Sequence, residues 1–417
     1  MKVLFVNTYD IEGGAALAAY RLFRSVVNSG VEADFFCMHK KSGDNRVFNA
    51  ENGLRRLAYR ASFYLERKRL YEQYKSRSNV SKWSFNILPN LIKLPLEKKY
   101  DLIHLHWIGD SFISMRALGE TKIPVLWTLH DSWAFTGGCH VPYNCVRYLK
   151  SCGDCPQLKS GSENDLSRAI YNAKQKCYES LAGLKIITPS EWLAKCARNS
   201  SLLSKKDIDV IPNGIDGDIF KPMDKKEARK RLGLDPDKKI ILFSGMAAVN
   251  NVNKGFHHLV SALKMLYNQF DDIELLVLGD LQPANAPNLE YKINYSGKIA
   301  DQSVVALYNS AADLMVLPSI QENLPNTIIE AFACATPAIA FNIGGIGDII
   351  DNKVNGCLIK PFDISEFSSA ISWMLQDSAR MRALGNSARE KFTKKFTVES
   401  MGKNYIELYN RMISGKK

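Results

Sequence analysis

Leu314-Met-Val-Leu-Pro318-Ser-Ile-Gln-Glu322-Asn-Leu-Pro325-Asn-Thr-Ile-Ile-Glu330-Ala-Phe332 packs a short apolar run, a polar loop and a helical pattern into nineteen residues. The run Leu314–Pro318 reads as a buried strand. Pro325 suits the start of a helix, where its missing N–H matters least. The free N–H groups of that first turn favour an anion, above all a phosphate. Glu322 falls in the loop, and Glu330 lies roughly 7–8 Å further along the helix axis than Pro325 at 1.5 Å per residue. Two carboxylates on that scale could hold hydroxyls at opposite ends of an elongated ligand. Taken alone, they read equally as a capping glutamate and a solvated one.

The same strand-then-helix alternation runs outward in both directions. Val3–Asn7, Leu102–His106, Val125–His130 and Ile186–Pro189 are strand signals in the first half, and Ile240–Ser244, Glu274–Leu278 and Pro337–Phe341 join Leu314–Pro318 in the second. Amphipathic helical stretches lie between them, the pattern of parallel α/β sheets. Each half has enough strands for its own doubly wound sheet. The expected domains are residues 1–200, residues 201–395, and a C-terminal helix over 396–417 that returns to the first lobe. Ligands of such sheets sit beyond the carboxyl ends of the strands, so functional residues belong in the loops that follow them.

Composition excludes several classes. Hydrophobic residues are 46% and charged residues 24%, too ordinary for a disordered chain. The 26 glycines and 15 prolines form no repeat, and no apolar run reaches the 18 or so residues of a membrane span. The opening Met1–Asn7 has an apolar run too short for a signal peptide, so a cytoplasmic location is expected. Net charge is +12, which favours anionic partners. Nine Lys/Arg against three Glu within residues 51–82 account for half of it. Cations in 53–75 alternate with Tyr59, Phe63, Tyr64, Tyr71 and Tyr74, which suits either an anionic membrane surface or a solvated helix packed on its own lobe.

Further strings accompany the glutamate pair: Val210-Ile-Pro-Asn-Gly-Ile-Asp216 with Phe220-Lys-Pro222, and Thr188-Pro-Ser-Glu-Trp-Leu193. Together they resemble the retaining glycosyltransferases of family 4, from the first strand to the C-terminal helix. The resemblance implies the GT-B fold, two Rossmann-like domains facing across a cleft, with the acceptor on the N-terminal domain and a nucleotide-sugar donor, UDP- or GDP-linked, on the C-terminal one. It implies that Glu322 contacts the donor sugar, that Glu330 contacts the ribose, and that His130, in Leu126-Trp-Thr-Leu-His130-Asp131, hydrogen-bonds the sugar near the reacting centre. It extends the donor-binding set to Gly13 and Gly14 of the first βα loop, to Gly245, and to Asn323 and Leu324. Family members carry an Arg just after the glycine of the first C-lobe strand and a Lys further on, both facing the diphosphate. Here Lys254 keeps the second position and Met246 replaces the Arg; either one cation is enough, or a substitute comes from elsewhere, for which Lys298 is a candidate that reads equally as a surface lysine. Transfer with retention, without a metal or other cofactor, onto a lipid-linked saccharide for cell-surface polysaccharide is the implied activity, with the enzyme peripheral on the inner face of the membrane. A non-catalytic or regulatory sugar-nucleotide-binding protein of the same fold is the alternative. Nucleic acid is not an expected partner, since no binding module for it appears.

Nine cysteines are present, and Cys139, Cys145, Cys152 and Cys155 lie within 17 residues. Cys-Gly-Asp-Cys is a turn that can present two thiolates to one metal, so a Cys-rich insert over 137–157 holding a structural zinc is expected, with reduced thiols or disulfides as the other outcomes.

Overall fold

The computed structural model describes residues 1–417 apart from 51–52, 79–81, 89–91, 97–98, 182, 246–248, 285 and 416–417. Met246 therefore lies outside the described residues. The chain forms two compact units, Met1–Pro212 with Met401–Lys417, and Asn213–Ser400.

The first unit is built on a seven-stranded sheet of β1 (Lys2–Val6), β2 (Glu32–Cys37), β3 (Val47–Asn49), β4 (Leu102–Leu105), β5 (Val125–Thr128), β6 (Leu184–Thr188) and β7 (Asp207–Val210). Their order is β3-β2-β1-β4-β5-β6-β7, and every pairing is parallel. The central strands are buried on both faces, as the near-continuous apolar runs require. The second unit has β8 (Lys239–Ser244), β9 (Ile273–Leu278), β10 (Lys292–Tyr295), β11 (Leu314–Leu317), β12 (Ala338–Phe341) and β13 (Gly356–Ile359). Here the order is β10-β9-β8-β11-β12-β13, again all parallel. These are two Rossmann-like α/β lobes.

In each sheet the strand order reverses once, between β1 and β4 in the first and between β8 and β11 in the second. At such a point neighbouring crossovers run to opposite faces and open a crevice at the carboxyl ends. The loops after β8 and β11 carry Gly245 and Glu322. The loops after β1 and β4 are joined by the Asn7 side chain, which accepts the Trp107 N–H at 2.7 Å.

The C-terminal helix Val398–Ser414 returns to the first unit. It buries Tyr405 and Tyr409, and Gly402 lets it approach Ser25 closely. Asn213-Gly-Ile of the Pro-Asn-Gly-Ile-Asp string stays in the second unit. Ile215 bonds to Phe396 and Val398 on either side of Thr397, and the Asn213 amide reaches Asn326 Oδ1 at 2.9 Å.

Candidate active site

In the second unit Lys254 closes a short turn, Val252–Lys254, that follows the Asn-rich loop. Its Nζ donates to Glu322 Oε1 at 2.6 Å, and the Ser319 hydroxyl donates to the same oxygen at 3.0 Å. Glu322 is 14% exposed and Lys254 23%, so the pair is partly withdrawn from solvent but still open to a ligand. Both bonds converge on one carboxylate oxygen and leave Oε2 for a ligand hydroxyl. Lys254 thus meets Glu322 itself, where the sequence reading assigned it to a diphosphate and the glutamate to a sugar. A carboxylate and an ammonium this close share one site.

Two glycines hold these loops together. Gly255 has φ +70, and an ideal Cβ there would lie 1.8 Å from the Pro318 carbonyl oxygen. Gly344 has φ +54, and its Cβ would lie 1.8 Å from the Glu322 carbonyl oxygen. Only glycine fits both the left-handed conformation and the contact. Backbone therefore packs on backbone across the loops after β8, β11 and β12.

Pro325 precedes the helix Asn326–Ala333 as its cap rather than sitting inside the first turn. Glu330 is buried on that helix, 9% exposed, which removes the reading of a solvated glutamate. Leu324 is buried beside it in the core formed by Ile328, Phe332 and Phe220. Gly245 continues β8, bonding to Leu278 at 3.1 Å. Lys298 follows the edge strand β10 and lies away from the switch point in strand order. Asn253 was not picked out by sequence reasoning. Its amide donates to the Gln321 carbonyl at 3.0 Å while its own Oδ1 is buried without a partner, an acceptor awaiting a donor next to Lys254.

In the first unit Gly13 caps and Gly14 begins the helix Gly14–Asn28 after β1. His130 is half-buried two residues past β5. Its Nε2 lies 3.0 Å from His106 Nδ1, with the rings stacked at 5.3 Å. His104, two residues before His106 and on the same face of β4, bonds Tyr409 Oη through Nδ1 and Thr128 Oγ1 through Nε2, both at 2.8 Å. Thr128 in turn meets Tyr405 Oη at 2.8 Å. Burial holds His104 and His106 well below the usual histidine range and His130 down to about 4, so all three are neutral near pH 7.

Neutrality and one orphan fix the tautomers. His106 Nε2 is buried with no partner. A bare lone pair there costs less than a stranded N–H. We therefore assign the His106 proton to Nδ1, where it is donated to His130 Nε2. His130 then carries its own proton on Nδ1, as a hydrogen-bond donor. Sequence reasoning missed His104 and His106, although their spacing of two inside an apolar strand places both on one face. Beyond them, His140 bonds Asp131 Oδ2 at 2.7 Å and Ser84 Oγ at 2.9 Å. Burial pushes Asp131 up, but His140, the Trp133 N–H and the Trp107 indole more than offset it, so its carboxyl sits below the usual range.

The contacts of the four cysteines do not set off a separate insert. Cys155 is buried with Leu70, Tyr74, Phe85 and Ile170, while Cys152 packs against the main sheet core. Burial raises the Cys152 thiol to about 11 and the Cys155 thiol to about 12. Among the described residues no group of three or more His, Cys, Asp or Glu is arranged to hold a metal ion, and none of the nine cysteines is in a disulfide. The four thiols nonetheless lie within electrostatic reach of one another, Cys139 meeting the influence of Cys145, Cys152 and Cys155, although this geometry does not by itself form a metal-ligand group.

The helix Gly53–Gln73 also divides its aromatics. Tyr59, and Tyr74 just past the helix end, are core residues, whereas Tyr64 and Tyr71 are exposed. Leu54, Leu57, Tyr64 and Leu65, at helical spacing on one side, are 53–71% exposed. Tyr59, Ser62, Glu66 and Leu70 form the opposite, buried stripe. Among the described residues no helix is long and apolar enough to cross a membrane.

Two family profiles match in tandem: "Glycosyltransferase Family 4" over residues 12–218 and "Glycosyl transferases group 1" over residues 224–391. A D-inositol 3-phosphate glycosyltransferase of Paenarthrobacter aurescens is 24% identical, over 97% of this chain and 94% of its own. Among solved structures, sucrose-phosphate synthase from Thermosynechococcus elongatus superposes with a TM-score of 0.70 at 20% identity, covering 99% of both chains. Anabaena HepE, solved with UDP-glucose, gives 0.62 at 17% identity, covering 98% of this chain and 99% of that one.

Proposed function

Starting from a GT-B chain that is a glycosyltransferase of the family-4 type, we propose that it transfers a sugar, with retention, from a UDP- or GDP-sugar to a saccharide acceptor. The observation that carries this reading is the Lys254–Glu322–Ser319 cluster at the strand-order reversal of the second sheet. UDP is the preferred nucleotide, by analogy with the UDP-glucose complex of the Anabaena protein.

Breaking the anomeric C–O bond places negative charge on the diphosphate and positive charge on the ring. Lys254 and the N–H groups opening the helix Asn326–Ala333 stabilise the first. The incoming diphosphate competes with Glu322 for Lys254, which couples donor binding to release of that carboxylate toward the sugar hydroxyls. Asn253, Asn323 and Leu324 line the sugar side, Gly245 lies below the diphosphate, and Glu330 takes the ribose. In the first unit His130 offers its Nδ1–H to a sugar oxygen, and Gly13 and Gly14 allow close backbone approach. The departing phosphate takes the acceptor proton, so no protein nucleophile or metal is assigned a step.

The acceptor is lipid-linked and serves cell-surface polysaccharide. The exposed Leu54, Leu57, Tyr64 and Leu65 lie among Arg55, Arg56, Arg60, Lys68 and Arg69, a pairing of apolar stripe and cations that suits an anionic bilayer surface from the cytoplasmic side.

Turnover of UDP- and GDP-sugars by wild type and Glu322→Ala tests the central assignment. The variant should retain its fold and lose turnover by about 100-fold or more. Near-wild-type turnover in a folded Glu322→Ala protein refutes it, and donor binding without any turnover by the wild type would favour the regulatory alternative.

A further inference from the structure

Beside the buried stripe of the helix Gly53–Gln73 lies a cavity of about 460 Å³, within the first unit. That volume falls in the range of small-molecule sites, about 300–1,000 Å³. One wall is a helix face, Phe63, Glu66, Arg67, Leu70 and Tyr71, at the i, i+3, i+4, i+7, i+8 spacing that normally packs a core. Two of these five are charged instead. Opposite it stand Arg77, Ser78, Lys82, Trp83, Ser84 and Phe85, and Asp110 and Ser111 close the floor.

The charges are not used up internally. Among the described residues neither Arg67 nor Arg77 pairs with a carboxylate. The Arg67 guanidinium lies over the Phe63 ring at 4.9 Å, and that of Arg77 over Tyr71 at 4.0 Å. Ring stacking orients both forks and, apart from a long bond from Arg77 Nη1 to the Tyr74 carbonyl at 3.4 Å, leaves their N–H edges for an anion. Lys82 neutralises Asp110 at 2.8 Å, so the acid on the floor does not cancel the arginines. Glu66 is 4% exposed: its Oε2 accepts the Ser111 hydroxyl at 2.5 Å and the backbone N–H groups of Asn86, Ile87 and Leu88 face its carboxylate, but its Oε1 is buried in the wall without a well-formed hydrogen bond. Leaving such an oxygen unmet costs about 1–3 kcal/mol, which a ligand hydroxyl would recover.

A bare anion accounts for the arginines but not for the volume, the rings or the orphaned carboxylate oxygen. A sugar accounts for all of them, since its C–H faces stack on Tyr71 and Trp83 while its hydroxyls meet Glu66 and the serines. We propose that this cavity binds an anionic saccharide, a pyranose carrying a carboxylate or phosphate, with Arg67 and Arg77 clamping the charge and Glu66 Oε1 accepting a ring hydroxyl. This deepens the reading that the first unit receives the acceptor, and rests on it: the acceptor is acidic.

Calorimetric titration of the full-length protein with glucuronate, glucose 1-phosphate, glucose and inorganic phosphate tests this, with UDP as a separate arm. Glucuronate or glucose 1-phosphate should bind at least about tenfold more tightly than glucose or phosphate. The double variant Arg67→Gln/Arg77→Gln should lose that preference and keep its UDP affinity. The inference is overturned if glucose or phosphate binds as tightly as the acidic sugars. It is equally overturned if the double variant binds them like wild type, or if neither acidic sugar binds while UDP does. Failure of UDP to bind, with acidic-sugar binding intact, would count against the transferase reading and support the cavity.

Discussion

Replacing Gly344 with alanine should unseat Glu322 without touching it. Gly344 has φ +54, a conformation costing an L-residue roughly 1–2 kcal/mol. The added Cβ would stand 1.8 Å from the Glu322 carbonyl oxygen. Carbon–oxygen contacts settle near 3.3 Å, so one backbone must move by about 1.5 Å. Overpacking of this kind costs about 1–3 kcal/mol, giving a combined loss of about 2–5 kcal/mol. In a domain of 150–250 residues, about 2–4 °C is lost per kcal/mol, so a Tm fall of about 4–20 °C is expected for the second unit. Turnover should fall further than stability alone explains, because a displacement of about 1 Å at a reacting group can cost about 100-fold. Gly347→Ala is the control: its φ is not in the left-handed range, and its Cβ meets only Asn342 Oδ1, at an ordinary 3.6 Å. Calorimetry and donor turnover on both variants decide the matter. A Gly344→Ala protein with wild-type Tm and wild-type turnover would refute the idea that packed backbones hold the site.

Other expectations follow from the same geometry. Glu330→Ala should raise the donor KM more than it lowers kcat, since its assigned contact is the ribose, and an unchanged KM would remove that role. His104, His106 and His130 are held neutral by burial. Below about pH 6.5 the unfolded chain therefore binds protons that the folded chain refuses, and stability falls as pH drops from 6.5 toward 4, by up to about 1.4 kcal/mol per unit for each histidine. Thermal melts across that range should show a shallower slope for His104→Gln, and identical slopes would discount the cluster. Leu57→Asp/Leu65→Asp should abolish cosedimentation with anionic vesicles, and wild-type binding should weaken in 1 M salt, where the Debye length is about 3 Å. Equal binding to neutral vesicles would speak against the membrane surface. Metal analysis of protein purified without a metal-affinity column tests the structural zinc expected at Cys139, Cys145, Cys152 and Cys155: about one zinc per chain is the expected result, and none, with all four thiols freely titratable, would remove the site.

The strands visible in the sequence are those buried on both faces. β1, β4, β5, β6, β8, β9, β11 and β12 present apolar runs because helices cover both sides of a parallel sheet. β3, β7, β10 and β13 are edge strands, and β2 adjoins an edge. β3 and β7 each keep one buried position, and Lys292-Ile-Asn-Tyr295 of β10 has none, while β2 and β13 are mostly buried but short or broken by polar residues. Nothing in such a segment distinguishes it from a loop until its partner strand is known.

Site residues divide along a similar line. Glu322, Glu330 and Lys254 belong to motifs compact enough to stand out, and the fold gathers Lys254 and Glu322 through contacts between loops 68 residues apart. His104 and His106 were hidden for the opposite reason: a histidine inside an apolar strand looks like an interruption of the core. What makes these two informative is the C-terminal helix, whose Tyr409 reaches back 305 residues to satisfy His104. With His104 fully satisfied by Tyr409 and Thr128, and His106 left with one orphaned nitrogen, the proton order along the pair running to His130 has one low-cost arrangement. An asparagine at 106 could keep an N–H near the Nδ1 position, whereas leucine could not. His106→Asn should therefore preserve kcat better than His106→Leu at equal UDP affinity, and nitrogen NMR should find His130 protonated on Nδ1. Equal kcat in the two variants, or His130 protonated on Nε2, would show that His106 only fills space.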